Sequence, residues 1–102
     1  MSEKAASVID QQLKELDAIA ARTAQDLNTV SGSERIAQWK VRTVSLLQQV
    51  AAKTEADELA RKSPGPAFTN DLIEEFNDEV DCYRSCLVAL VKRLRSAAPP
   101  QP

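Results

Sequence analysis

Between Ile36 and Ala52 the apolar positions spread too widely for a helix with a single buried stripe. Ile36, Ala37, Val41, Val44, Leu47 and Ala51 fall on one side, and Trp39, Leu46 and Val50 carry the arc on. At 100° per residue the arc reaches roughly 220°, against about 100° for an ordinary surface helix. This stretch is therefore expected to be a central helix with neighbours on two sides. The segment before it carries one narrow seam, Ala6, Ile9, Leu13, Leu16, Ala20, Leu27 and Val30, with Thr23 filling a slot of the same alternating three-four spacing. The segment after it carries another, Ile73, Phe76, Val80, Tyr83, Leu87, Leu90 and Leu94. Seams of this kind suit long helices packed at shallow angles.

Turn chemistry sets the boundaries. Ser31-Gly32-Ser33-Glu34 offers a flexible turn and a Ser31-x-x-Glu34 capping box, so the chain is expected to reverse there into an αα-hairpin. Thr54-Glu55-Ala56-Asp57 reads as a weaker cap where the central helix kinks or restarts. Ser63-Pro64-Gly65-Pro66 cannot continue a helix, because each proline lacks a donor and restricts the residue before it. Thr69, Asn70 and Asp71 supply caps for the last helix. These signals predict helices over 6–30, 33–62 and 70–97, with a break near Lys53 or Thr54. The fold class is all-α, an antiparallel three- to four-helix bundle. Residues 1–97 form one domain and residues 98–102 a proline-rich tail or the start of a linker.

Composition narrows the function classes more than it names one. The 102 residues carry 13 Lys and Arg against 15 Asp and Glu, a net charge of −2 that gives no overall footprint for nucleic acid or an anionic membrane. No apolar run approaches the roughly 20 residues of a membrane span, and the reading is a cytoplasmic protein. There is no histidine, which removes the commonest general base and metal ligand. The two glycines, Gly32 and Gly65, form no phosphate loop. Cys82 and Cys86 share a helix face as reduced thiols, and the carboxylates from Glu74 to Glu79 read as solvated charge at a helix start. No cofactor, metal or small-molecule ligand is expected, and no enzymatic activity.

A few residues are candidates for contact with a protein partner. Trp39 reads as a space-filler between helices whose indole N–H needs an acceptor, or as an interaction hot spot. Phe68 reads as a plug tucked under its loop, or as an exposed recognition aromatic. Cys86, Val88 and Val91 widen the apolar arc of the last helix beyond its seam, and surplus surface there predicts self-association as a symmetric dimer. A second expectation is nucleic-acid contact through Arg35, Lys40, Arg42 and Lys53 on the central helix, with Arg61 and Lys62; the balanced charge disfavours it. Lys40 falls inside the apolar arc, so its stem is expected on the core rim with its ammonium in water.

The stretch Arg35 to Leu47, with Trp39 followed by Leu46-Leu47, then the loop bearing Phe68 and the apolar last helix, resembles the small helical modules that precede TIR-like nucleotide-binding domains in bacterial defence proteins. The resemblance spans about residues 8 to 95. It implies an interaction or oligomerisation module. That family's catalytic residues lie in a domain that none of these residues matches, so no catalytic residue carries over.

Overall fold

The computed structural model describes residues 2–65 and 70–96, and within them the chain forms four α-helices and no strand. In order these are α1 (Ser2–Asp26), α2 (Thr29–Gln49), α3 (Lys53–Arg61) and α4 (Leu72–Ser96). Cross-helix contacts fix their directions. Arg35 and Arg42 of α2 meet Asp26 and Glu15 of α1 in reverse order, and Arg84 and Arg95 of α4 meet Asp17 and Asp10 in reverse order. Thus α1 runs antiparallel to both α2 and α4, which run parallel to each other, with Ser33 bonded to Glu79 and Trp39 against Tyr83. The short α3 turns back along α2 and α4, and Arg93 of α4 reaches Glu58 at 2.8 Å. The expected antiparallel bundle is observed, as an elongated body of 52 × 22 × 20 Å.

The first turn lies upstream of its predicted place. Leu27 adopts a left-handed backbone (φ 55°) and Asn28 caps α2, its side-chain oxygen accepting from the Ser31 N–H at 3.1 Å. Ser31 is thus inside the helix rather than its cap. Asparagine is as good a cap as serine, and it comes first in the chain. Gly32, read as a flexible turn, is buried in the first turns of α2. Its role is close approach: a Cβ there would stand 2.6 Å from Thr23 Oγ1 and 2.8 Å from Phe76 Cε1. Three helices converge on a position that admits no side chain.

The second break also comes earlier than predicted, at Val50–Ala52. Ala52 N–H donates to the Leu47 carbonyl at 2.8 Å and Ala51 N–H to the Gln48 carbonyl at 3.1 Å. These are the two bonds of a Schellman end, with Ala51 (φ 62°) where glycine is usual and with Ala52 and Leu47 both buried. Thr54, expected to cap the restarted helix, lies inside α3, whose N-cap position is Ala52 and makes no side-chain hydrogen bond. Asp71 starts α4 as expected, its Oδ1 accepting from the N–H of Ile73 at 2.9 Å and of Glu74 at 3.3 Å.

Burial follows the seams where the helices meet and departs from them elsewhere. On α2 the buried set is Gly32, Ile36, Trp39, Thr43 and Leu47, a stripe much narrower than the apolar arc. Ala37 and Val41 face outward, Val41 being 72% exposed. On α1 the seam stops at Thr23, because the helix ends at Asp26 and the reversed backbone turns Leu27 into solvent. Between Ile9 and Leu16 the seam residue Leu13 is half-buried against the core, and the glutamine beside it, Gln12, is buried. On α4, Phe76, Val80, Tyr83, Leu87 and Leu90 are buried as the seam requires, and so is Val91.

Two pairs of substitutions test this packing. Leu47→Ala and Leu87→Ala each remove a side chain with no exposed surface, and each should lower stability by about 2–5 kcal/mol in denaturant unfolding. Ala51→Gly should raise stability by about 0.5–1 kcal/mol, since it relieves a left-handed alanine. Gly32→Ala should do the reverse, by about 1–3 kcal/mol, through overpacking against Thr23 and Phe76.

Candidate functional site

Of the residues proposed from sequence, the structure removes several from the surface. Trp39 has no exposed area, and its indole N–H donates to the Gln12 carbonyl at 2.9 Å. It is a core residue, and a partner could reach it only by opening the bundle. Val91 is 8% exposed, and Cys86 and Val88 are half-buried, Cys86 packing against the core. The apolar surplus assigned to the end of α4 is therefore largely used within the chain. The separate α3, with Ala56 and Leu59 buried, packs chiefly on α2 and meets α4 at the Arg93–Glu58 pair. Phe68 and the tail at 98–102 lie outside the described residues.

The basic residues of α2 do not make a common face. Arg35 lies 3.6 Å from Asp26, with its Nη1 shielded from water and without a hydrogen bond, and Arg42 lies 4.0 Å from Glu15, so both turn toward α1. Lys40 turns the other way. Its ammonium donates to the Lys62 carbonyl at 2.6 Å, stands 3.4 Å from the Tyr83 hydroxyl and sits 5.0 Å from the centre of the Tyr83 ring. The predicted stem on the core rim is found, but the ammonium goes to the end of α3, where an open carbonyl at a helix C-terminus attracts a cation.

Lys40, Tyr83 and Glu79 form the polar side of a groove of about 600 Å³ whose floor is Ile36, Ala37, Val41 and Val44 of α2. Glu79 accepts from the Ser33 hydroxyl at 3.0 Å. Desolvation raises its pKa above the ordinary carboxylate value, with Glu75 adding to the rise while the Ser33 bond and Lys40 oppose it. Burial likewise pushes up the Tyr83 hydroxyl and the Cys86 thiol. A raised thiol pKa keeps Cys86 protonated at neutral pH, which suits packing and not nucleophilic attack. Among the described residues no three Cys, Asp or Glu side chains converge on a point where a metal could sit. No helix among them is long and apolar enough to cross a membrane.

A second apolar surface was not singled out from sequence. Five large apolar side chains are exposed among the described residues: Leu27, Val30, Val41, Leu72 and Ile73. All but Val41 lie at one end of the rod, where the end of α1 and the starts of α2 and α4 meet around Gly32. Leu27 is four residues from Thr23, Val30 two from Gly32, and Leu72 four from Phe76, so each lies within about 6 Å along its axis of that contact. Sequence reading placed Leu27, Val30 and Ile73 on seams because periodicity does not show where the neighbouring helix runs out.

Glu79 gives a pH-dependent test. Its folded pKa is higher than its unfolded one, so as pH rises between the two values the unfolded chain loses its proton first and stability falls. Glu79→Gln keeps an acceptor for Ser33 and removes the charge. It should raise the melting temperature at pH 7, and the difference from the parent should shrink toward zero as pH falls through about 4, the unfolded glutamate value.

No protein-family model, no curated protein and no solved structure matches this chain.

Proposed function

We infer that this chain is a non-enzymatic protein-interaction module whose contact surface is the end of the bundle bearing Leu27, Val30, Leu72 and Ile73. The observation that carries the reading is their placement. Scattered surface leucines are ordinary, whereas four of the five large exposed apolar side chains among the described residues sit on three helix ends that meet at Gly32, a concentration of the kind that marks contact sites. The likeness of Arg35 to Leu47 to the helical modules of bacterial defence proteins supports the same role and suggests a setting, an accessory helical domain of such a system. Of that stretch, Ile36, Trp39, Thr43 and Leu47 are buried in the core, while four of the five large exposed apolar side chains among the described residues lie at the end of the rod.

Site-specific photocrosslinking in the cells that make the protein tests this. A benzophenone side chain at position 30 or 72 should yield adducts with another protein, and one at Ser85, exposed in the middle of α4, should not. Equal labelling from position 85, or none from the end, would remove the support for this surface.

A further inference from the structure

The geometry points to a basic amphipathic segment of another protein as the occupant of the apolar end, a deepening that rests on the interaction reading above. The apolar patch says that something docks, and the charge around it says what kind. Residues 22–35 and 70–79, which build this end, carry seven carboxylates and two arginines. Arg35 and Asp26 pair at 3.6 Å and offset each other, which leaves six carboxylates and Arg22. Glu34, Glu75 and Asp78 are exposed, and Glu75 lies close enough to Glu79 to raise its pKa. A surface with apolar side chains inside an acidic surround is complementary to leucine-like side chains flanked by lysine or arginine.

A second copy of this chain fits less well. Two-fold pairing of this end would set its carboxylates against the same carboxylates, where like charges oppose association. Head-to-tail pairing would set this end against the far one, which presents the exposed Lys4, Lys53 and Lys92 but, among the described residues, none of the large exposed apolar side chains that would meet the patch. The acidic surround also disfavours an anionic membrane.

The probes are two labelled synthetic peptides of about 18 residues, five helical turns, with leucines at helical spacing and either lysines or glutamates elsewhere. Fluorescence anisotropy on the full chain should show saturable binding of the Leu/Lys peptide, weakened by salt, and none of the Leu/Glu peptide. Val30→Ser with Leu72→Ser should weaken binding about tenfold or more, as should Glu34→Gln with Glu75→Gln and Asp78→Asn. Val41→Ser, away from this end, should leave it unchanged. Leu/Glu binding of equal strength at the same end would overturn the basic partner while leaving the contact surface in place. Leu/Lys binding untouched by Val30→Ser and Leu72→Ser would place the segment elsewhere and overturn the inference. Failure of both peptides to bind would overturn it too, while crosslinks from positions 30 and 72 would keep the interaction reading. Concentration-dependent light scattering of the parent chain, abolished by Val30→Ser and Leu72→Ser, would assign the end to a second copy instead.

Discussion

The bond from the Trp39 indole to the Gln12 carbonyl sets the register on which the rest of the bundle depends. A fully buried tryptophan fills more space than any other side chain here, and its position decides how closely α1, α2 and α4 approach. Shape alone would let α1 slide by a turn against α2, because its seam is made of interchangeable Ala, Ile and Leu. The indole N–H does not allow this: a buried donor without an acceptor costs about 1–3 kcal/mol. Thr43 adds to the lock. Its hydroxyl stands 2.8 Å from the Trp39 carbonyl and 2.9 Å from Oε1 of the Gln12 side chain. One hydroxyl proton cannot serve two acceptors, so both contacts are met when the Gln12 amide is turned to donate. With α1 and α2 in register, Gly32 meets Thr23 and Phe76, and α4 is placed in turn.

The length of α3 decides which part of α2 stays uncovered. At about 1.5 Å per residue, its 9 residues cover less than half the length of the 21-residue α2. The Schellman end at Ala51 turns the chain back at once, and α3 stops where Lys40 can reach the Lys62 carbonyl. The neighbour predicted on the second side of α2 is therefore present along only part of it. What remains is the groove floored by Ala37 and Val41, beside the Lys40 and Tyr83 contact.

Periodicity showed the helices and most of the core, because burial in a bundle repeats with the helix and a seam reports it directly. Ile36, Leu47, Phe76, Val80 and Leu87 are buried for the reason their spacing predicts. Gln12 and Thr43 were not legible as core, since a polar side chain enters the interior only when its partner sits on another helix, and spacing does not reveal that partner. Gly32 misled for a related reason. Glycine serves either to turn a chain or to let helices touch, and only the position of Thr23 and Phe76 decides between them. Of the apolar surplus at the end of α4, only Val91 is buried, while Cys86 and Val88 are half-buried, a distinction that spacing does not draw.

The end bearing Leu27, Val30, Leu72 and Ile73 was the least legible part, because its apolar side chains stay in water. A left-handed leucine costs about 1–2 kcal/mol relative to a residue in a relaxed conformation; the N–H of Leu27 closes α1 by bonding the Thr23 carbonyl at 2.8 Å, but its side chain is left 68% exposed. Helix stability explains the carboxylates at the start of α4 through the dipole, but it does not explain Leu72 and Ile73 beside them. Asn28 already caps α2 and Asp71 already caps α4, so neither terminus needs an apolar side chain in water. Exposed apolar side chains that the helix ends do not require are where selection for contact is expected to act. The middle of the rod, by contrast, has its buried indole, amide and hydroxyls mutually bonded. That bonded middle holds three helix termini at one end of the rod, where four large apolar side chains stay in water.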